Sequence, residues 1–188
     1  LGGHDGSRVI TTRALGADGW AEILLANVPA AFVPLDNAAL ADLLRVARVA
    51  LLARAHGGAR RAFEVAVDYA KERKQFGQPI GRFQGVSFKL ADMAVELRAA
   101  ELLVLEAAWK RDQGTATDMD MAIAKLKATE MLAMVADEAL QIHGGMGLMT
   151  ELPLERIWRD ARIERIWDGT SEVQRHIISR ALLRPLGG

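Results

Sequence analysis

Tyr69-Ala-Lys-Glu-Arg-Lys-Gln-Phe-Gly-Gln-Pro-Ile-Gly-Arg-Phe-Gln84 separates two long helical segments, and its reading decides the fold. Two glycines and a proline within Gln75-Phe-Gly-Gln-Pro-Ile-Gly cannot sit in a helix interior, so the chain must turn here. Upstream, from Asn37 onward, Ala, Leu, Arg and Glu dominate. That composition predicts one helix over about 38–73, with Gly57-Gly58 its weak point. Downstream, a second helix is expected over 84–113, where Leu90, Met93, Leu97, Val104 and Ala108 recur at helical spacing. Gly114-Thr-Ala-Thr then reads as a turn, with Thr117 or Asp118 as the next N-cap. A third helix carries Ile123, Leu126, Leu132, Val135, Ala139 and Ile142, and ends near His143 at Gly144-Gly-Met-Gly. The following stretch reads as irregular. A capping box at Ser171 and Gln174 should open a last helix over 172–183.

These elements imply a mainly α chain: an antiparallel four-helix bundle over 37–188. Residues 1–36 are of another kind. Val9-Ile-Thr-Thr, Ile23-Leu-Leu-Ala-Asn-Val-Pro and Phe32-Val-Pro-Leu read as two or three short strands, a β remnant held loosely beside the bundle.

Bulk properties narrow the function. The 188 residues balance 24 Lys and Arg against 24 Asp and Glu, so no global field draws nucleic acid or a membrane surface. Aromatic residues make up 5%, too few for a base-stacking platform. There is no cysteine, which removes disulfides, thiolate metal sites and cysteine nucleophiles together. No stretch reaches the ~18 uninterrupted apolar residues of a membrane span. The start, Leu1-Gly-Gly-His-Asp-Gly, lacks an initiator Met and resembles no targeting signal, so the chain is expected to continue upstream. A bacterial cytoplasm is the expected compartment, with the mitochondrial matrix as the alternative.

Taken singly, the candidate site residues are ambiguous. His4, His56, His143 and His176 lack metal-ligand spacing. Arg45, Arg48, Arg60 and Arg61 could hold an anion or simply solvate a helix face. The 144–147 glycines could admit a phosphate or only cap a helix. Asp168 could be a base beside a helix N-terminus or an ordinary turn aspartate.

Their order along the chain is more informative. The quoted stretch, then Lys89-Leu-Ala-Asp-Met-Ala, Gln141-Ile-His-Gly-Gly-Met-Gly, Arg159-Asp-Ala-Arg-Ile and Asp168-Gly-Thr-Ser-Glu-Val-Gln-Arg resemble the acyl-CoA dehydrogenase family, in sequence and with its spacing. The resemblance covers about residues 20–185 and implies a flavoenzyme whose FAD lies between a β domain and this bundle, with contacts from a neighbouring subunit. By that similarity Arg73 would meet the FAD diphosphate, where a guanidinium fork suits phosphate oxygens. Phe76 and Gln84 would flank the cofactor across the subunit interface. Gln141, Ile142, His143, Gly144 and Gly145 would bring backbone to the dinucleotide, glycine being needed where a Cβ would obstruct. Thr170, Ser171 and Glu172 would lie beside FAD at a helix N-terminus.

The reaction so implied removes two hydrogens from an acyl-CoA thioester: a carboxylate takes the α-proton, and the β-hydrogen leaves as hydride. Electrons would pass to an electron-transfer flavoprotein or an equivalent acceptor, and the subunits would form a dimer or a dimer of dimers. Asp168 stands where most members carry glutamate. The family's other base position corresponds to Ala47, one residue before Arg48, and holds no acid. Arg48, Trp167 and Gly169 would border the substrate. Three outcomes remain open for a carboxylate one methylene short: a working base, a slow dehydrogenase, or a partner subunit without catalysis. The same motifs would serve an acyl-CoA oxidase or flavin monooxygenase, and the chain by itself, lacking half the flavin contacts, could be only an association module.

Overall fold

The computed structural model describes residues 7–12, 14–15, 20–29 and 34–184. Its first elements are a two-stranded antiparallel ribbon, β1 (Ser7–Thr12) and β2 (Trp20–Leu25), with Val9 opposite Ile23. Val9, Ile23, Leu24 and Leu25 all remain more than 40% exposed, so neither face of the ribbon is covered by the bundle. An isolated ribbon of this size is marginal without a third strand or a packed face. The expected strand at Phe32 falls outside the described residues.

Asp36 caps α1 (Asn37–Glu72) by accepting from the Ala39 N–H at 2.7 Å. The helix runs unbroken through Gly57 and Gly58. Tertiary packing explains this: a Cβ on Gly58 would meet Leu132 at an ordinary 3.6 Å, so the position faces a neighbouring helix at close range. Leu52, Ala55, Ala59, Ala62, Ala66 and Ala70 form the buried stripe of α1. The small size of the five alanines lets α2 (Gln84–Asp112) and α3 (Asp118–His143) approach it closely. Met93, Leu97 and Ala100 from α2 meet Met131, Leu132, Val135 and Ala139 from α3 in the main core. The second-helix expectation is off by one at its end: Ala107 is buried and Ala108 only partly so. Thr117 is the α3 cap, and its side chain and that of Asp120 satisfy one another's backbone N–H groups.

The region read as irregular contains a helix, α4 (Leu154–Glu164). It is short and rich in charge, yet Leu154, Ala161 and Glu164 are buried on one side, with Ile157 packed against the core. About three turns in which Arg, Glu and Asp outnumber the apolar residues hid that stripe. The last helix, α5 (Ser171–Leu183), lies against α3. Its cap is Thr170, not Ser171: the Thr170 hydroxyl accepts from the Val173 N–H at 3.3 Å. The expected four helices are thus α1, α2, α3 and α5, with α4 added between the last two.

Candidate functional site

The connection from α4 to α5 gathers most of the candidate residues. After Glu164, Asp168 (φ +52°) and Gly169 (φ +88°) turn the chain through two successive left-handed conformations. Such a backbone is uncommon for residues other than glycine, and aspartate is among the few side chains that tolerate it. Glycine at position 169 suits this φ, and a Cβ there would also lie 2.6 Å from Gln174 Nε2 and push that side chain aside. Gln174 is buried and donates to the Gly169 carbonyl at 2.9 Å and, more weakly, to that of Asp168 at 3.4 Å. It therefore braces the loop instead of completing a capping box with Ser171. Ser171 in turn donates to Glu130 on α3 at 2.8 Å, and Arg165 reaches the same carboxylate at 2.9 Å.

The Asp168 carboxylate faces Arg48 of α1, with Nε 3.5 Å from Oδ2, and its side chain is about one-third exposed. Ala47 beside Arg48 brings no acid to the site. Of the other candidate arginines, Arg45 lies 3.7 Å from Asp118 and Arg60 pairs with Glu64 at 3.0 Å along the helix. Trp167 donates its indole N–H to Glu164 at 2.9 Å and lies under the Arg54 guanidinium, 5.0 Å from the ring centre. Arg54 also pairs with Glu164. Glu172 is exposed, and its carboxyl sits below its ordinary pKa because its own backbone N–H and the Thr170 hydroxyl bond to it.

A second group lies at the opposite end of α1. The hairpin β3 (Lys74–Gln75) and β4 (Gln78–Pro79) follows Arg73 and turns at Phe76 (φ +52°) and Gly77 (φ +79°). Two positive φ values in a two-residue loop match the twist of the strands. Phe76 stands 91% exposed at the tip, edge-on to Phe83 at 6.1 Å, and exposed Gln84 opens α2 just beyond. Tyr69 stacks on His143 at 4.1 Å, which brings the 141–145 segment to the same end. There Gln141, Gly144 and Gly145 are exposed, while the Ile142 and His143 side chains are buried. Any ligand contact from those two would have to use backbone.

Nothing in this chain lies within 4 Å of a Cβ built on Gly144 or Gly145. The expected reason for these glycines is the close approach of a dinucleotide, and this chain leaves the space beside them open. Gly144 needs glycine for its backbone (φ +57°, ψ −137°), and close packing belongs instead to Gly147, whose Cβ would sit 2.7 Å from the Leu140 carbonyl oxygen. Open glycine backbone beside an exposed guanidinium and an exposed aromatic ring does fit a dinucleotide cofactor.

From Arg48 to Arg73 the helix spans 25 residues, roughly 35 Å at helical rise. The candidate cofactor residues thus form two groups on one chain that are too far apart to surround a single flavin ring together.

Lys125 is not among the residues singled out from the sequence, yet it is 1% exposed in the core beneath the α4–α5 loop. One signal was available: Met121, Lys125, Ala128 and Leu132 continue the buried spacing of α3. His143 also has a physical consequence. Burial holds its imidazole below the ordinary pKa, partly offset by its bond with the Ala139 carbonyl at 2.8 Å. The unfolded chain takes up a proton near the ordinary value of about 6.5, and the folded chain resists it. Stability contributed by the neutral ring is therefore full above that pH and is lost as pH falls below it. His143→Phe, which keeps a ring against Tyr69, should shrink the drop in Tm between neutral and mildly acidic buffer. An unchanged drop in calorimetry would remove His143 as its source.

Comparison with known proteins agrees with this layout. Residues 37–183 match the family model described as acyl-CoA dehydrogenase, C-terminal domain. The chain is 49% identical over 137 residues to a protein named probable acyl-CoA dehydrogenase YngJ from Bacillus subtilis, covering 73% of this chain and 36% of that one. Among solved structures, butyryl-CoA dehydrogenase from Megasphaera elsdenii superposes with a TM-score of 0.85 at 36% identity, over 95% of this chain and 49% of its own. A structure described as PigA with FAD and proline superposes at 0.83 with 32% identity, over 96% and 49%. The chain spans about a third of the length of the curated relatives it matches. Among the described residues, no helix is long and apolar enough to cross a membrane. With motif order, fold and family model in agreement over the whole helical region, the chain belongs to the acyl-CoA dehydrogenase family.

Proposed function

We propose that the chain serves an FAD-dependent enzyme that converts an acyl-CoA to its trans-2-enoyl-CoA, with Asp168 as the base. The observation that carries this reading is the Asp168 carboxylate on a left-handed turn, facing Arg48 at 3.5 Å with no acid at Ala47. Asp168 accepts the α-proton of the thioester and becomes the neutral acid. Arg48, with its Nε 3.5 Å from Oδ2, orients the carboxylate toward the substrate. Gly169 is proposed to border the substrate through its backbone, and the absence of a Cβ leaves room for the buried Gln174 that braces the turn. Thr170 and Glu172 stand at the N-terminus of α5, where first-turn N–H groups suit an electron-rich ring. Bound there, FAD supplies the acceptor for the β-hydrogen, which leaves with its electron pair. Arg73, Phe76, Gln84 and the 141–145 backbone are proposed to hold the far end of a neighbouring subunit's FAD. The length of α1 between the two groups supports that division.

The name of the butyryl-CoA dehydrogenase relative makes a short acyl-CoA the first substrate to try. A bacterial cytoplasm is the proposed compartment, since a Bacillus protein is among the relatives. A second reading rests on the short reach of aspartate. Misplacement by about 1 Å can cost on the order of 100-fold in rate, enough to leave a partner subunit without catalysis.

Anaerobic mixing of the flavin-loaded enzyme containing this chain with butyryl-CoA and longer homologues separates these readings. Bleaching of the flavin, followed by reoxidation by electron-transfer flavoprotein faster than by oxygen, is the expected result. Fast reoxidation by oxygen with release of hydrogen peroxide would turn the assignment to an oxidase. Full flavin occupancy without bleaching by any acyl-CoA would leave the partner-subunit reading.

A further inference from the structure

Lys125 is the largest of the fully buried side chains, and nothing in the proposed chemistry uses it. Its ammonium group donates to the Glu164 carbonyl at 2.9 Å and to the Gly169 carbonyl at 2.7 Å. The first acceptor is the last residue of α4, where unpaired carbonyls and the helix dipole favour a cation. The second is the residue directly after Asp168. One buried cation therefore ties together both ends of the short loop that carries the candidate base. Burial holds Lys125 below its ordinary pKa, while Asp168 and Glu164 act on it in the opposite sense.

A lysine that only held the fold together is an inefficient device. Burying a charge is costly even after relaxation, and an apolar residue of similar volume often stabilises a core as well. Here both bonds go to backbone carbonyls flanking one loop, and neither goes to a carboxylate. Gly169 receives a second buried donor, Gln174, at 2.9 Å. Two buried side chains from different helices thus converge on one peptide, next to an aspartate held at positive φ. Gln174 also reaches the Asp168 carbonyl at 3.4 Å, so the two donors fix the backbone just after the Asp168 Cα, on which the carboxylate is carried.

We infer that Lys125 is a positioning residue for Asp168, acting with Gln174 through the Gly169 carbonyl to hold the carboxylate at its working angle. The inference rests on Asp168 being the base, so its test must separate the two. Lys125→Met keeps the length of the side chain and removes the donors and charge. Gln174→Met does the same for the second donor. Both are compared with Asp168→Asn in the flavin-loaded enzyme, by exchange of the substrate α-hydrogen in D2O, by kcat and KM, by flavin content and by melting.

Loss of a well-held base angle should lower kcat and α-exchange on the order of 100-fold, with KM within about threefold. Because Lys125 and Gln174 share one carbonyl, the double variant should lose less than the product of the two single losses. If Asp168→Asn abolishes exchange while both Met variants, folded and flavin-loaded, exchange at the parent rate, Lys125 does not position the base. A fall in melting temperature with unchanged rate per bound flavin overturns the inference in the same way. If Asp168→Asn itself exchanges at the parent rate, the assignment of the base falls first. Should Lys125→Met fail to fold, Lys125→Gln and Gln174→Met alone decide the matter by the same rates.

Discussion

Replacing Asp168 by Asn is expected to stop α-proton abstraction while FAD stays bound and the bundle stays folded. Asparagine keeps the shape and can still meet Arg48, but its amide cannot accept the substrate proton. A positioned general base contributes typically 10²–10⁴-fold, so a loss of that order in kcat is expected, with a much smaller change in KM. Stability should barely move. The carboxylate is partly exposed and its ion pair with Arg48 is long at 3.5 Å, so little folding energy depends on it. Asp168→Glu restores the missing methylene and should hold or raise the rate. Rapid-mixing flavin reduction checks both variants. A parent-like rate in Asp168→Asn with every acyl-CoA tried would mean the base lies on another domain or subunit.

Much of this site can be read from the sequence, and the part that cannot has a common physical cause. Thr117, Gly144 and the hairpin around Gly77 announce themselves because caps and positive-φ turns need particular residue types locally. Asp168 is marked by its place before Gly-Thr-Ser-Glu. Lys125, Glu130 and Gln174 are different. Each matters through a partner 5 to 44 residues away, and local chemistry gives no hint of it. The capping-box reading of Ser171 and Gln174 failed for the same reason: buried acceptors in the preceding loop and on α3 competed for both side chains. The helix α4 was missed because its apolar stripe is thin and a buried glutamate occupies one of its inward positions.

The other large expected effect concerns assembly. Along α2, Phe88, Val95, Leu102 and Trp109 recur every seven residues, with Leu105 beside them, and each is more than half exposed. Within the apolar run 102–105, Leu103 is partly buried and Val104 lies in the core, so Leu102 and Leu105 form the outward pair. A heptad stripe of this kind is a seam for another helix, and at about 1.5 Å per residue it runs for roughly 30 Å. Leaving it in water is unfavourable, since extended exposed apolar patches mark interaction surfaces. The division of the cofactor residues into two distant groups independently calls for a second copy. We therefore expect the enzyme containing this chain to sediment as a dimer or dimer of dimers at micromolar concentration. Leu102→Glu combined with Leu105→Glu places two charges in the seam. Surface changes of this sort usually alter the fold's own stability by no more than about 0.5 kcal/mol each. Desolvating an unpaired carboxylate in an interface costs far more, so the variant should sediment as a monomer with its helical content intact. If Arg73, Phe76 and Gln84 hold a neighbour's cofactor, FAD should be lost along with the assembly. A parent-like sedimentation coefficient in the double variant would show that the α2 stripe is not the seam. A monomeric variant that kept its FAD would show that each subunit holds its cofactor alone, which the length of α1 speaks against.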